Sequence, residues 1–465
     1  MKRLVFMLAA CMGVSCALAG NTWWVDNQAA NAADTNPGTE QEPFLTIQAA
    51  ADNPELEEGD TILVKPGTYA TGGAVDAWSG MSNRVYLAKK VVLKSTGGKA
   101  ATFIVGAKSP GSADEHGRGP NAVRCVFSEV SGTIIEGFTL RGGTASTSGD
   151  AGKGGCFCSK IGDTRGIYLV DCTIEDGAAV TGGGMQGGTA IRCLIRNNWT
   201  SGSACAVAVG NLFCSVVCNN TSTDSGTPYA LSNCFLANCT IFKNTRSGAT
   251  GSGSIVCNCI LGGHPGSNLG SAIPAANITG VARKDAMVFV AWALEDFTLL
   301  KGKNTDTADG DADTAGSASD LWNVGFVKNL PAGYAETDFF GNVIPKEGAI
   351  ASGAVVVPVA QAAGAIQASG QLMVDGHLLA SGDKFYATSF PTQYNVRAVL
   401  AAGKEVFAFN RGSDYGSYAY PQMDGSAWIA PPSGTASTMT LLALSADKVL
   451  YVNPDPGVGS DAAGR

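Results

Sequence analysis

Four aspartates, two thirds of the way along the chain, have the spacing of a calcium-binding loop. Asp309, Asp311, Asp313 and Asp320 occupy positions 1, 3, 5 and 12 of one segment. Alternate carboxylates of this kind can converge on one hard cation. However, Thr314 stands where such loops have a glycine, and the last ligand is Asp instead of Glu. We therefore favour a solvated acidic loop, with Ca²⁺ as the alternative, and predict no other cofactor.

The chain also contains 14 cysteines, whose thiols could support redox or metal chemistry. Zinc sites need four ligands at characteristic spacing, but Cys156-x-Cys158 and Cys257-x-Cys259 lack a second Cys pair or a His at ligand distance. Mostly free, buried thiols are therefore predicted. Five cysteines recur at nearly regular spacing, namely Cys172, Cys193, Cys214, Cys239 and Cys259. One or two disulfides are expected among Cys125, Cys156, Cys158, Cys205, Cys218 and Cys234.

The recurring cysteines also indicate the elements that hold them. A period of about 20 to 25 residues in β-branched segments is typical of the stacked coils of a β-solenoid. Alternation with period two predicts that each cysteine, and the apolar residues two positions on either side, point inward. Turn residues follow, and corners are expected at Asn198, Asn219 and Asn244. The apolar neighbours are Val170, Ile191, Leu212, Ala237 and Cys257 before the cysteines, and Ile174, Ile195, Val216, Ile241 and Leu261 after them.

The same repeat predicts two ion pairs between neighbouring coils. Asp171 and Arg192 each stand directly before a recurring cysteine, and Glu175 and Arg196 each stand three positions after one. Equivalent residues of adjacent coils lie about 4.8 Å apart, so each carboxylate is expected beside a guanidinium on the outer face. On an exposed sheet each pair contributes at most about 1 kcal/mol. These charged residues are therefore predicted to be structural.

The first residues have the features of an export signal. A basic start is followed by an apolar stretch and by Ala17-Leu18-Ala19 before Gly20. We therefore predict a signal peptide over residues 1–19 and a secreted or cell-surface protein. No other segment is long and apolar enough to span a bilayer. A net charge of −8 without a Lys/Arg cluster argues against a nucleic-acid partner, and a monomer is expected.

A signature follows the cleavage site. It consists of Val25-Asp26, Gly38-Thr39, Pro-Phe-x-Thr-Ile-Gln-x-Ala over residues 43–50, and Gly-Asp-Thr-Ile-x-Val-x-Pro-Gly-Thr-Tyr over residues 59–69. This pattern resembles the start of right-handed parallel β-helix proteins of the pectate-lyase-like superfamily. The resemblance implies an all-β solenoid. We also predict a short helix over residues 44–51 that caps the open end, and over residues 61–69 a strand that ends in a turn.

The chain is expected to contain more than one module. Residues 296–310, 337–342 and 348–349 resemble the closing module of secreted bacterial β-helix proteins, so one β-helix domain is predicted over residues 20–350. Longer alternating strands predict a small β-sandwich over residues 351–449. Residues 450–453 align with residues 23–26, which predicts that residues 450–465 are the truncated start of a second β-helix module in a fragment of a longer polypeptide.

Two functions follow from this organisation. The resemblance implies, as the alternative, a Ca²⁺-dependent lyase of an acidic glycan, which needs a Lys or Arg base beside three or four converging carboxylates. Two of the available carboxylates already have arginine neighbours in the repeat. We therefore favour a non-catalytic protein for adhesion or polysaccharide contact. The candidate acids are Glu136, Asp163, Asp171, Glu175, Asp176 and Asp224, and the candidate bases are Lys153, Arg165, Arg192 and Arg196.

Overall fold

The computed structural model describes residues 20–160, 166–224, 229–244, 253–261 and 321–356, except positions 323, 348 and 352, together with the backbone of short strands outside these ranges. The predicted signal peptide lies outside the described residues. No helix in this part of the chain has the length and apolar character needed to cross a membrane.

Three largely parallel sheets run along the molecule, with ten strands in sheet A and eight in each of sheets B and C. Sheet A contains Thr22–Val25, Thr61–Val64, Val92–Ser95, Ile134–Glu136, Tyr168–Val170, Thr189–Ile191, Asn211–Phe213, Phe235–Ala237, Ile255–Cys257 and Ile273–Pro274. Sheet B contains Gly67–Tyr69, Thr102–Val105, Thr139–Arg141, Thr173–Glu175, Leu194–Arg196, Val216–Cys218, Thr240–Phe242 and Ile260–Gly262. The prediction of a parallel β-helix is confirmed.

Sheet C contains Ala74–Val75, Ser82–Leu87, Val123–Ser128, Phe157–Ser159, Met185–Gln186, Val207–Ala208, Tyr229–Ser232 and Gly248–Thr250. Its first strand pairs antiparallel with the second, and the other pairs are parallel. A small sheet D, formed by Ala178–Ala179, Trp199–Thr200 and Thr221–Ser222, lies between sheets B and C in each coil that contributes to it. Short 3-10 helices span Asp150–Gly152 and Val327–Asn329.

The N-terminal signature forms the first coils. The α-helix spans Ile47–Asp52, and Thr46 caps it by accepting a hydrogen bond from the backbone N–H of Ala49. Ile47 and Ala50 join the core. The strand predicted at the start of residues 61–69 is Thr61–Val64 of sheet A, but the expected turn is followed by a second strand, Gly67–Tyr69, which belongs to sheet B. Pro66 stands at the corner between them, where its missing N–H removes no ladder hydrogen bond.

The cysteine repeat is one residue out of register in its third coil. Thr189 pairs with Asn211, a separation of 22 residues, so Ser215 takes the position equivalent to Cys193. Cys214 occupies the left-handed corner with φ of 46°, as Arg192 does in the coil before. Cys172, Cys193, Cys239 and Cys259 lie in the inner core, but Cys214 does not. The prediction for Cys214 is therefore wrong. The cysteine spacing stays at 21 residues although the coil is 22 residues long, so the spacing does not reveal the added residue.

Three buried asparagines, Asn198, Asn220 and Asn244, stack across successive coils and are here called the asparagine ladder. The middle member is shifted by one residue from the predicted position, as at Cys214. Asn220, and not Asn219, stands between Asn198 and Asn244. The side-chain oxygen of Asn220 accepts from the backbone N–H of Asn198 at 2.9 Å, and its amide donates to the Oδ1 of Asn244 at 2.8 Å. Asn219 is the corner residue before it, with φ of 56°. Buried amides that satisfy one another across coils fix the register of the stack.

The prediction of inward-pointing apolar residues is right for Leu212 and for Ile174, Ile195, Ile241 and Leu261, which lie in the inner core. It is wrong for Val170, Ile191, Ala237, Cys257 and Val216, which face outward. Val170, Ile191, Phe213 and Ala237 form an outer row on sheet A. They are buried because residues 321–356, here called the strap, pack over them. The strap side chains in this contact include Leu321, Val327, Ile344, Ile350 and Val356. A second outer cluster joins Leu194, Val216, Cys218, Phe242 and Ile260 of sheet B to Ala351, Ala354 and Val355 of the strap.

Polar contacts also tie the strap to several coils. The Nη1 of Arg192 donates to the carbonyl of Tyr334 at 2.7 Å, and the hydroxyl of Tyr334 donates to Glu136 at 2.7 Å. Further along, the side-chain amide of Asn238 donates to the carbonyls of Ala351 and Gly353. The strap is therefore an integral part of the solenoid wall.

The remaining described strands pair antiparallel. The pairs are Phe289–Ala291 with Asp296–Leu299, Thr305–Asp306 with Gly310–Asp311, and Gly316–Ser317 with Ala349–Ile350. After residue 365 one sheet has the order Ile366–Gln367, Glu405–Val406, Leu441–Ser445, Lys448–Val452, and another the order His377–Ser381, Gln371–Val374, Asn395–Val399, Phe409–Asn410. Tyr420–Pro421 pairs with Trp428–Ile429. The β-sandwich and the second module stay predictions.

Candidate functional site

A row of charged side chains on the outside of sheet B includes two of the predicted candidates, Glu175 and Arg196, with Asp176 next to them. The strand register aligns Arg141, Glu175 and Arg196 in three successive coils. We call these three residues the arginine row. Its members stand one position before the corner that leads to sheet D, so they project beside a turn and not in the middle of a flat sheet.

Glu175 holds both guanidinium groups of the arginine row. Its Oε1 accepts from Arg141, with Nη2 at 2.5 Å, and its Oε2 accepts from the Nε of Arg196 at 2.9 Å. The side chain of Glu175 is 5% exposed, whereas those of Arg141 and Arg196 are 46% and 30% exposed. The predicted pair of Glu175 with Arg196 is therefore present, with Arg141 as a second partner that the sequence reasoning missed.

Phe103 supports the exposed end of this row. The guanidinium carbon of Arg141 lies 4.9 Å from the centroid of the Phe103 ring. A planar cation over an aromatic face is held both by electrostatic attraction and by stacking. Arg141 therefore presents its polar edge in a defined orientation although nearly half of its side chain is exposed.

Asp176 follows Glu175 at the corner, with φ of 57°. Partial desolvation and then the charge of Glu175 raise the pKa of Asp176 above its ordinary value, against the opposing effect of Arg141 and Arg196. Two carboxylates in different environments thus stand beside two guanidinium groups. The arrangement offers both donors and acceptors to a polar ligand.

The other predicted candidates are separated from this row. Glu136 is bound by Lys94 at 2.8 Å and by Tyr334. Asp171 pairs with Arg192 at 2.6 Å, as predicted, but the Arg192 side chain is only 9% exposed because the strap covers it. Lys153 pairs with Asp150 at 2.7 Å. The backbone N–H of Asp224 donates to Ser222 in sheet D, and Asp163 and Arg165 lie outside the described residues.

Of the two kinds of metal site considered from the sequence, the described residues test only the cysteine pairs. Within the part of the chain that the structure describes, no three His, Cys, Asp or Glu side chains form a group that could hold a metal ion. Asp309, Asp313 and Asp320 of the acidic loop lie outside the described residues. Asp311 is described in its backbone alone, in the strand Gly310–Asp311. The solvated acidic loop therefore stays a prediction, with Ca²⁺ binding as its alternative.

The cysteines of the solenoid form part of the core. All 12 cysteines from Cys125 to Cys259 are free and buried, so none of the expected disulfides is present among them. Burial raises the pKa of Cys158 to about 11 and that of Cys205 to about 12. A protonated, buried thiol is a poor nucleophile and a poor metal ligand.

A second cluster, of aromatic side chains, which was not predicted from the sequence, lies on the outside of sheet C. The indole of Trp78 stacks on Phe127, with ring centroids 6.0 Å apart and planes at 17°, and Tyr86 contacts the same phenyl ring at 5.5 Å. We call these three residues the aromatic shelf. A signal for it exists in the sequence, since Asp76-Ala77-Trp78-Ser79-Gly80 has the composition of a tight turn that presents an aromatic residue.

Comparisons with known proteins give structural similarities without a family. No protein-family model matches the chain, and no curated protein matches it. A solved rhamnogalacturonan lyase is 15% identical over 58% of this chain and 63% of its own, with a TM-score of 0.28. A pectin methylesterase from carrot is 12% identical over 57% and 82%, with a TM-score of 0.32. A pectate lyase is 12% identical over 82% and 96%, with a TM-score of 0.27.

Proposed function

We propose that this chain is an exported, non-catalytic β-helix protein that contacts polysaccharide through the arginine row. The observation that carries the proposal is the position of Glu175, whose nearly buried carboxylate orients two partly exposed guanidinium groups toward solvent. Binding sites gain affinity when their polar groups are held in place before the ligand arrives. The export signal predicted from residues 1–19 supports a secreted or cell-surface location, where glycans are accessible.

The chemistry of the row suits a sugar chain. Arg141 has N–H groups beyond those that contact Glu175, and a guanidinium can donate to two oxygens in one plane. Asp176 adds an acceptor beside these donors. Sugar hydroxyls need both donors and acceptors, and a uronate carboxylate would be bound by the guanidinium edge. The outer face of a solenoid can accommodate an extended chain because its coils repeat at a fixed spacing.

The arrangement of the carboxylates supports binding over catalysis. Glycoside hydrolysis needs two carboxyl groups on opposite sides of the bond, one of them free to donate a proton. Both carboxylate oxygens of Glu175 are already engaged by the two arginines, and its side chain is 5% exposed. A calcium-assisted lyase needs several converging acids, and no three acids form such a group within the residues that the structure describes.

The test measures retention of the full chain by pectate, alginate and chondroitin sulfate in affinity electrophoresis. Retention is expected on at least one of these glycans. The double variant Arg141→Gln, Arg196→Gln should weaken binding by about tenfold or more, since charged hydrogen bonds contribute about 1.5 to 3 kcal/mol. Lys94→Gln is the matched control, because the Lys94 side chain is ion-paired and 45% exposed on sheet A.

Two results would overturn the proposal. One is an absence of retention on all three glycans, or equal retention of the arginine variant and the native chain. The other is the release of unsaturated product, seen as ultraviolet absorbance during incubation with these glycans and Ca²⁺, which would establish a lyase.

A further inference from the structure

The aromatic shelf has the geometry of a binding surface and not of core packing. Phe127 is fully buried beneath Trp78, whereas Trp78 and Tyr86 are both partly exposed. One ring thus supports an indole that stands at the surface in a fixed plane. An exposed flexible tryptophan would lose conformational entropy on binding, and a tryptophan held by a stacked ring has less to lose.

A buried ion pair holds the turn that carries Trp78. The side chains of Asp76 and Arg124 are both 0% exposed, and the Arg124 Nη1 lies 3.3 Å from the Asp76 Oδ2. Asp76 also accepts from the backbone N–H of Ser79 at 2.6 Å and from the side-chain amide of Asn83 at 3.0 Å. Burying two charges is costly unless their hydrogen bonds are satisfied, and here both charges have several partners that define the conformation of the turn.

Arg124 also holds the segment at the opposite edge of the shelf in place. Its Nε donates to the carbonyls of Lys153 and Gly154, at 2.9 and 3.1 Å, and its Nη2 donates to those of Asp150 and Ala151, both at 3.1 Å. This segment places the Lys153 ammonium 5.9 Å from the centroid of the Trp78 ring. A single buried guanidinium therefore positions both the aromatic surface and a cation beside it.

Polar groups of both signs line the shelf. Lys153 is paired with Asp150 on one side. On the other side the hydroxyl of Tyr86 donates to Glu129 at 2.7 Å, and Lys160 lies 3.7 Å from the same carboxylate. An aromatic face with donors and acceptors around it matches a pyranose ring, whose C–H groups contact the negative face of the ring system and whose hydroxyls point outward. The carboxylates and the net negative charge disfavour a nucleic acid.

We infer that the aromatic shelf is a second carbohydrate subsite, in which one pyranose unit stacks on Trp78 and its hydroxyls bind the Lys153–Asp150 and Glu129–Lys160 pairs. This inference rests on the proposed function, because it assigns another unit of a polysaccharide to the same solenoid. It differs in chemistry, since stacking does not require a charged sugar. The shelf should accept a neutral unit that the arginine row does not select.

The experiment titrates the full chain with cellohexaose, a neutral probe, and with hexagalacturonate, an anionic one, by calorimetry. Trp78→Ala should weaken cellohexaose binding by about tenfold, because the variant loses the stacked ring together with the area that the sugar buries on it. Trp78→Phe keeps a ring and should retain most of the affinity. Trp24→Ala is the matched control, as Trp24 is also a partly exposed indole with a lysine, Lys65, 5.2 Å from its centroid.

The outcomes separate this inference from the proposed function. If Trp78→Ala binds both probes like the native chain while Arg141→Gln weakens hexagalacturonate binding, the shelf is refuted and the arginine row stands. If Trp78→Ala weakens binding and Arg141→Gln does not, the row is refuted and the shelf stands. If the native chain binds neither probe, or if Trp24→Ala has the same effect as Trp78→Ala, the shelf is refuted. Thermal unfolding of each variant verifies that it is folded, and Trp78→Phe tests the shelf even where the alanine variant unfolds.

Discussion

At the scale of single residues, neighbouring side chains in this solenoid have very different roles. Glu175 is enclosed by two arginines, while Asp176, the next residue, stands at a corner with a raised pKa. The difference arises because the strand ends at Glu175 and the backbone turns at Asp176. Charge and residue type alone therefore do not identify which of two adjacent acids can interact with a ligand.

Asp176→Asn should stabilise the protein at neutral pH. A carboxyl whose pKa is raised by folding binds its proton more tightly in the folded state, so ionising it lowers stability as the pH rises above the unfolded value of 3.8. Asparagine removes this penalty and also tolerates the left-handed corner. The gain should be small, within about 0.5 kcal/mol as for most surface changes. Urea unfolding at pH 7 and pH 3 measures it, and an equal gain at both pH values would show that ionisation of Asp176 is not the cause.

At the scale of elements, the repeat was predictable and its third coil was not. The recurring cysteines and the two charge pairs correctly indicated stacked parallel strands, because equivalent positions of adjacent coils must lie side by side. Cys214 misled the alignment because it follows Cys193 at the same distance as Cys193 follows Cys172, while the coil between them is longer by one position. The added residue places Ser215 at the position equivalent to Cys193. The sequence pattern alone cannot distinguish this alignment from the one that uses Cys214.

Asn220→Ala should destabilise the protein far more than Asn219→Gly. Asn220 bonds to both neighbours in the ladder and to the carbonyls of Ile195 and Cys218, all in the interior. Its removal leaves several buried groups without partners, at about 1 to 3 kcal/mol each. Glycine at position 219 keeps the left-handed corner and should cost little. Chemical denaturation compares the two variants, and the reverse order would restore the alignment expected from the sequence.

At the scale of the whole molecule, the strap determines which apolar residues are buried. The alternation of Val170 and Ile191 with the cysteines suggested an inner row, but alternation identifies two faces of a strand without stating what covers each. The strap is remote in sequence from the coils that it covers, since Arg192 and Tyr334 are 142 positions apart, so no local pattern points to it. The aromatic shelf was hidden for a similar reason, since Asp76 and Arg124 are 48 residues apart.

Ile344→Ala should lower stability much more than Val343→Ala. Ile344 is 1% exposed on the inner side of the strap, whereas the adjacent Val343 is 74% exposed. Truncating a buried isoleucine typically costs about 2 to 5 kcal/mol, and an exposed valine about 0.5 kcal/mol or less. Midpoints of guanidinium unfolding give the comparison. Similar midpoints for the two variants would show that the strap does not pack on sheet A in solution.

The strap also changes how the solenoid is expected to unfold. In repeat proteins each unit contacts only its neighbours, so stability propagates along one dimension and the ends can fray independently. Here a single segment bonds Glu136, Arg192, Asn238 and Asn258, which belong to separate coils. Opening any of these coils therefore disturbs contacts that the others share. The strap converts a linear array into a cooperative unit, in which hydrogen exchange in the covered coils should proceed at one common rate instead of a gradient from the ends.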